Sequence, residues 1–215
     1  MNSWPALAGL LLALAGCATP PAPPPGTAAL GLALRQAAVA SALVAEGSVL
    51  RHGASGMVFP VEVAGFRRGM PHVYDAVGLD VSSGYTLAAL RGPVVATVYV
   101  FPAPANAAGT AALEALFAKY KAEVAASHGG AKPVAEASAP PPPGAGGAEG
   151  RHARFAYADM FAGARRALRS ELFVFCCIAP GWALEYRFTY TQDSGQEDTV
   201  EQFMRGLRVT VPSGS

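Results

Sequence analysis

The sequence predicts an α+β domain, an antiparallel sheet sandwiched by helices, with elements in the order βββα-βββα after a leading helix. Three observations carry this. Trp182, Leu184, Tyr186, Phe188 and Tyr190 alternate with Ala183, Glu185, Arg187 and Thr189, the period of two expected of a strand with one buried face. Val94 to Phe101 reads Val-Val-Ala-Thr-Val-Tyr-Val-Phe, apolar on both faces, as a central strand covered on each side should. Leu113, Leu116, Phe117, Tyr120 and Val124 recur at helical spacing, the stripe of a helix laid on that sheet.

In chain order, residues 27–46 are rich in Ala and Leu, with Leu30, Leu34, Val39, Leu43 and Val44 near helical spacing and Gly47 as a stop; this predicts the leading helix. Met57, Val58, Phe59, Val61 and Val63 mark a first strand, and Pro60 assigns it to a sheet edge. Leu79, Val81, Ser83, Tyr85 and Leu87 alternate as a second strand, and Gly92-Pro93 turns the chain into the central one. The helix over 108–127 closes at Gly129-Gly130. Residues 131–150 contain Pro140 to Pro143 and almost no large apolar side chain, which predicts a long surface loop, disordered by composition. Strands follow over 154–159, 167–178 and 182–190, the last two joined at Pro180-Gly181. Glu185 is expected to face outward beside Arg187. Ser194 and Glu197 have the spacing of a capping box for a terminal helix with Val200, Phe203, Met204 and Leu207 on its buried face. A helical lead-in over 27–56 and one domain over 57–211 account for this part of the chain.

The 215 residues carry a net charge of +1 and are only 14% charged, so no basic field exists to hold nucleic acid, and no nucleic-acid partner is expected. Hydrophobic residues reach 52%, but much of this is alanine. Past residue 17 no run reaches the roughly 18 apolar residues that a spanning helix needs.

About ten apolar residues from Ala6 lead into Leu14-Ala15-Gly16-Cys17, too few for a permanent span and enough for a signal-peptide core. This stretch resembles the lipobox of bacterial lipoproteins. The resemblance implies that residues 1–16 are removed and that Cys17 is lipidated, through a thioether to diacylglycerol and acylation of its amino group. Residues 17–26, with Pro20, Pro21, Pro23, Pro24 and Pro25, read as a polyproline spacer of the kind that holds such proteins off a membrane. Met1 to Pro5 departs from the pattern in lacking Lys or Arg. Ala18 stands where an Asp would signal retention in the inner membrane, which implies a lipid-anchored place on the periplasmic face of the outer membrane. The element order over about residues 57–208 is similar to that of the PsbP-like domains, including the DcrB-like lipoproteins, which implies a helix-sandwiched antiparallel sheet.

No catalytic motif is present. The four histidines, His52, His72, His128 and His152, lack paired spacing, and neither a phosphate loop nor a nucleophile elbow occurs. Arg67-Arg68 with His72, and Arg165-Arg166 with Arg169, are the basic clusters and read as solvated loop charges. Besides Cys17, the chain has only the adjacent Cys176 and Cys177, too few for a metal set and pointed to opposite faces if the strand is regular; they read as two small buried apolar side chains, and a bridge between them would demand a strained turn. No cofactor or metal is called for. The expected function is that of a membrane-anchored envelope lipoprotein acting as a non-catalytic binding or scaffolding module for an envelope protein. Two alternatives stay open. One is an envelope enzyme or accessory subunit whose site assembles from His52, His72, Asp75, His128, His152 or Asp159. The other is a carrier of a small apolar ligand, which would need a cavity between the sheet and a helix.

Overall fold

A computed structural model of the chain describes residues 37, 39, 41–104, 109–129, 131–146, 149–179 and 181–210. The leader 1–16, Cys17 and its proline spacer lie outside these residues, as does most of the expected leading helix. A three-stranded sheet comes first: β1 (Leu43–Glu46), β2 (Val49–His52) and β3 (Val58–Pro60), in that order. Then come β4 (Glu62–Val63), β5 (Phe66–Val73), β6 (Val81–Leu87), β7 (Val94–Pro102) and helix α1 (Gly109–Ser127). β8 (Pro133–Ala139), β9 (Gly150–Phe161), β10 (Ala164–Ala179), β11 (Trp182–Thr191) and helix α2 (Glu197–Gly206) complete the described elements. β4 to β11 form one eight-stranded sheet in the order β4-β5-β6-β7-β11-β10-β9-β8, antiparallel at every pairing. Two four-stranded meanders therefore meet at their last strands, and each is followed by a helix.

This corrects the expected helix-sandwiched α+β arrangement. The chain is mostly β, with two helices among the described residues and seven strands, not three, before α1. Leu43–Glu46, expected to end the leading helix, instead pairs with β2, from Leu43 opposite His52 to Glu46 opposite Val49. Its Leu-Val pair suits either state, and Gly47, with φ +61°, turns the hairpin where it was expected to stop a helix. Arg67, Arg68 and His72, read as loop charges, lie on β5. The stretch expected to be a bare loop opens with β8, an edge strand whose side chains are mostly exposed. Its ladder to β9 holds it, and burial contributes little, which is why hydrophobic patterning did not reveal it.

Strand alternation sorts the core into two layers. Val94, Ala96, Val98 and Val100 of β7 join Leu184, Tyr186 and Phe188 of β11 on one face, beneath α2 and the three-stranded sheet. Leu172, Val174 and Cys176 of β10, with Phe155 of β9, lie on the other face beneath Leu113, Leu116, Phe117 and Val124 of α1. The predicted α1 stripe is the buried one. Each helix crosses to the other half of the sheet: α1 packs on β9 and β10, while α2 reaches β5 and β6. Phe203 of α2 makes edge contacts with Phe66, Tyr85 and Phe188 at centroid distances of 4.9, 5.2 and 5.4 Å. The expected capping box does not form. Gln196 is the N-cap, and the Ser194 hydroxyl turns back to donate to the Thr191 carbonyl (2.6 Å).

Glu185 is not outward either. The polar face of β11 lies under α1, where Glu185 is 1% exposed and pairs with Arg187, whose guanidinium also donates to Glu123 of α1 (3.0 Å). Tyr99 and Tyr120 flank that guanidinium, with centroids 5.2 and 5.7 Å away. Burial pushes the Glu185 carboxyl up to about 7 against the pull of Arg187.

Truncating Phe203 to Ala should cost about 3–5 kcal/mol, because the neighbouring rings are fixed by the sheet and cannot close the cavity. The expected reading is a lower urea midpoint at unchanged slope; an unchanged midpoint would show that α2 is not seated on this face.

Candidate functional site

The six polar candidates do not gather. His52 is buried at the join of the two sheets. Its Nε2–H donates to the Gly78 carbonyl (2.7 Å), which leaves Nδ1 of the neutral ring to accept from the Ser55 hydroxyl (2.7 Å). Burial lowers its pKa, so the neutral ring serves as a structural connector. The His72 ring rests against Tyr74, with centroids 4.4 Å apart. Asp75 accepts from the Leu79 backbone N–H (2.9 Å). His128 and Asp159 do meet, at 2.9 Å, with the imidazole stacked on Tyr157, but both are solvent-accessible and neither lines a described cavity. Of the six, only His152 lines one. Among the described residues, no group of three His, Cys, Asp or Glu is placed to hold a metal ion.

The cavity at His152 has a volume of about 380 Å³, within the range of small-molecule sites. It lies between the sheet and α2, and sheet register explains its floor. Glu171 of β10 is opposite Arg154 of β9, and Phe173 is opposite His152, so all four side chains share one face. The Glu171 carboxylate is 2% exposed and fully engaged. His152 Nε2 donates to Oε2 at 2.5 Å, while Tyr190 Oη and Arg154 Nε donate to Oε1 at 2.6 and 3.1 Å. Burial works to raise this carboxyl, but the His152 and Tyr190 hydrogen bonds and the nearby positive charge outweigh it and hold the group below its ordinary range. The His152 ring stacks on Phe173 at 4.3 Å and 8°.

The walls are apolar. Val200 and Met204, one turn apart on α2, form one side, and Pro140 to Pro143 form the other. The proline run is fixed in place. The Val209 N–H donates to the Pro143 carbonyl (2.8 Å), and the Ala145 N–H closes a turn on Pro142 (3.0 Å). Gly144 sits at φ +90°, where an added Cβ would lie 2.1 Å from the Val209 carbonyl oxygen, so only glycine fits. The same C-terminal segment ties down the small sheet, since Thr210 Oγ1 accepts from the Val58 N–H (3.1 Å) and donates to the Gly56 carbonyl (3.0 Å). At the rim, Arg205 pairs with Glu201 (2.8 Å), and Arg169 pairs with Glu197. The result is a groove with apolar walls and a floor whose charges are satisfied internally.

Sequence reading named His152 but missed Glu171, Arg154 and the proline wall. The available signal was a carboxylate, Glu171, directly before the apolar run Leu172 to Ile178, facing an alternating His-Ala-Arg at 152–154. Either feature alone is ordinary, and only register joins them.

Because the folded Glu171 carboxyl lies below its ordinary 4.5, its stabilising contribution is present above that pH and is lost as pH falls through the lowered value. Glu171→Gln should therefore cost about 3 kcal/mol at neutral pH, with Arg154 left unpaired, and the gap from wild type should narrow in acid, at a pH below the lowered value of the carboxyl. Urea unfolding of both proteins at the two pH values checks this, and a pH-independent gap would contradict it. No family model, no curated protein and no solved structure matches the chain, so the groove's own chemistry is the guide to its use.

Proposed function

We propose that the protein is a membrane-anchored envelope lipoprotein whose folded part is a non-catalytic binding module. Its binding site is the groove between α2 and the sheet, and its ligand is a small molecule with an apolar body and an acidic head. The observation that carries this is the groove itself. A carrier of a small apolar ligand needs a cavity between the sheet and a helix, and the 380 Å³ space meets that need with walls of Val200, Met204, Phe173 and proline. Glu171 has both oxygens occupied and is poorly placed to act as a base, which favours binding over acid-base chemistry. Arg205, exposed at the rim and held only by a surface ion pair with Glu201, is available to an acidic head group. Lipidation at Cys17 and the proline spacer, both read from sequence, would present this groove at the membrane surface. Recruitment of an envelope protein is compatible with the same anchor.

Two measurements test the two halves of the reading. A fluorescent fatty acid titrated into the protein should bind, and Met204→Trp, which fills the groove, should weaken binding roughly tenfold or more while urea stability is kept. Unchanged binding in that variant would remove the groove from the function. Palmitate labelling in a bacterial host should vanish in Cys17→Ala, and the variant should leave the membrane fraction; persistence there after a salt wash would refute the anchor.

A further inference from the structure

Neighbouring side chains on a regular strand point to opposite faces, so adjacent cysteines in β10 should diverge. They converge. β10 is in register with β11 up to Phe175 opposite Leu184, and register resumes at Ala179 opposite Trp182, which leaves Cys176, Cys177 and Ile178 facing Ala183 alone. The surplus is taken up in a bulge where Cys177 adopts φ +59°, an uncommon left-handed conformation for a residue with a side chain. This is the strained turn that a bridge between neighbours demands. It brings the two Sγ atoms to 2.7 Å. Cys176 is buried against the α1 layer, whereas Cys177 is exposed, contrary to the expectation that both are buried. Both line a second cavity of about 430 Å³, with Glu114 and Arg151 among its polar walls. Backbone strain of this kind points to a use.

We propose that Cys176 and Cys177 are a thiol–disulfide exchange site that closes to a reversible vicinal disulfide, with a small-molecule disulfide entering the adjacent cavity as the oxidant. Cys177, the exposed thiol, reacts first. Its thiolate attacks one sulfur of the incoming disulfide, the sulfur–sulfur bond breaks, and the departing half takes up a proton and leaves as a thiol. Cys177 then carries the other half as a mixed disulfide. Cys176 loses its proton and attacks the Cys177 sulfur, and the second half leaves as a thiol in turn. Two protein thiols are oxidised to one disulfide, and one small disulfide is reduced to two thiols.

The order follows from the surroundings. Burial, together with the hydrogen bond and charge of Cys177, pushes the Cys176 thiol up to about 12, so Cys176 does not start the exchange. Once Cys177 is capped, both contributions from Cys177 disappear and burial alone opposes ionisation, while the Cys177 sulfur stays within reach of Cys176 for the resolving step. The site shares no step with the groove beneath α2, so failure of either reading leaves the other standing.

The test uses the full chain exposed to oxidised glutathione, quenched in acid, alkylated with iodoacetamide and digested with trypsin without reduction. The peptide Ser170–Arg187 contains both cysteines and excludes Cys17. In wild type it should lack two hydrogens and carry no alkyl group, and dithiothreitol should restore double alkylation. Cys176→Ser should stop at a glutathione adduct on Cys177, while Cys177→Ser should react about tenfold more slowly or not at all. A wild-type peptide that remains doubly alkylated or accumulates only glutathione adducts would overturn the proposal. So would a Cys177→Ser variant that reacts as fast as wild type.

Discussion

An eight-stranded sheet with two apolar faces, each of which needs a cover, sets the terms for the rest of this structure. Among the described residues, α1 supplies most of the cover over β9 and β10 on one face. The opposite face is wider than α2, and the three-stranded sheet covers most of what remains, placing Leu43, Met57 and Phe59 in the same core layer. His52 fastens this small sheet to the turn before β6, and Thr210 fastens it to the C-terminal segment. The proline run covers the last part of the face. Val209 and Gly144 fix the position of that run, and the groove is the gap left between it and α2.

Two carboxylates buried on opposite faces show how partners decide the state of an acid. Glu171 has three donors of its own and is held in its charged form. Glu185 has one donor, Arg187, which it shares with Glu123, and burial dominates. Both are nearly closed to solvent, but Glu185 lies deeper and has fewer committed hydrogen bonds, and the two differences act in the same direction. For the groove, this means that the polar floor is already neutralised when empty. On the proposed reading, an acidic head group would find its partner at the rim, where ion pairs are held loosely.

Much of the regular structure was legible. The alternation in β6, the two-sided run in β7, the α1 stripe and the aromatic face of β11 each follow from periodicity acting within a single element. Sequence was uninformative where stability comes from pairing: β8 has almost nothing to bury, and β1 carries residues that suit helix or strand. The polar face of β11 was misread for a related reason. Arg187 and Glu185 look solvated in one dimension, yet α1 lies over them and supplies Glu123 as a partner. The groove was invisible because it depends on cross-strand register and on a proline run fixed by a segment more than sixty residues away. The cysteine pair was judged by regular strand geometry, and the bulge at Cys177 is a departure from that regularity.

The meeting of β7 with β11 has a consequence for how the chain must be made. These strands pair Thr97 with Arg187 and Val98 with Tyr186, contacts between residues about ninety positions apart, at the centre of the sheet. Non-local pairing of this kind is slow to form. As the chain grows from its N-terminus, the first meander can assemble through β7, but the outer edge of β7, an almost wholly apolar strand, then stands open. That edge stays sticky until more than eighty further residues have been added. The feature that unites the finished sheet is therefore, during synthesis, the point at which two unfinished copies are most apt to join each other.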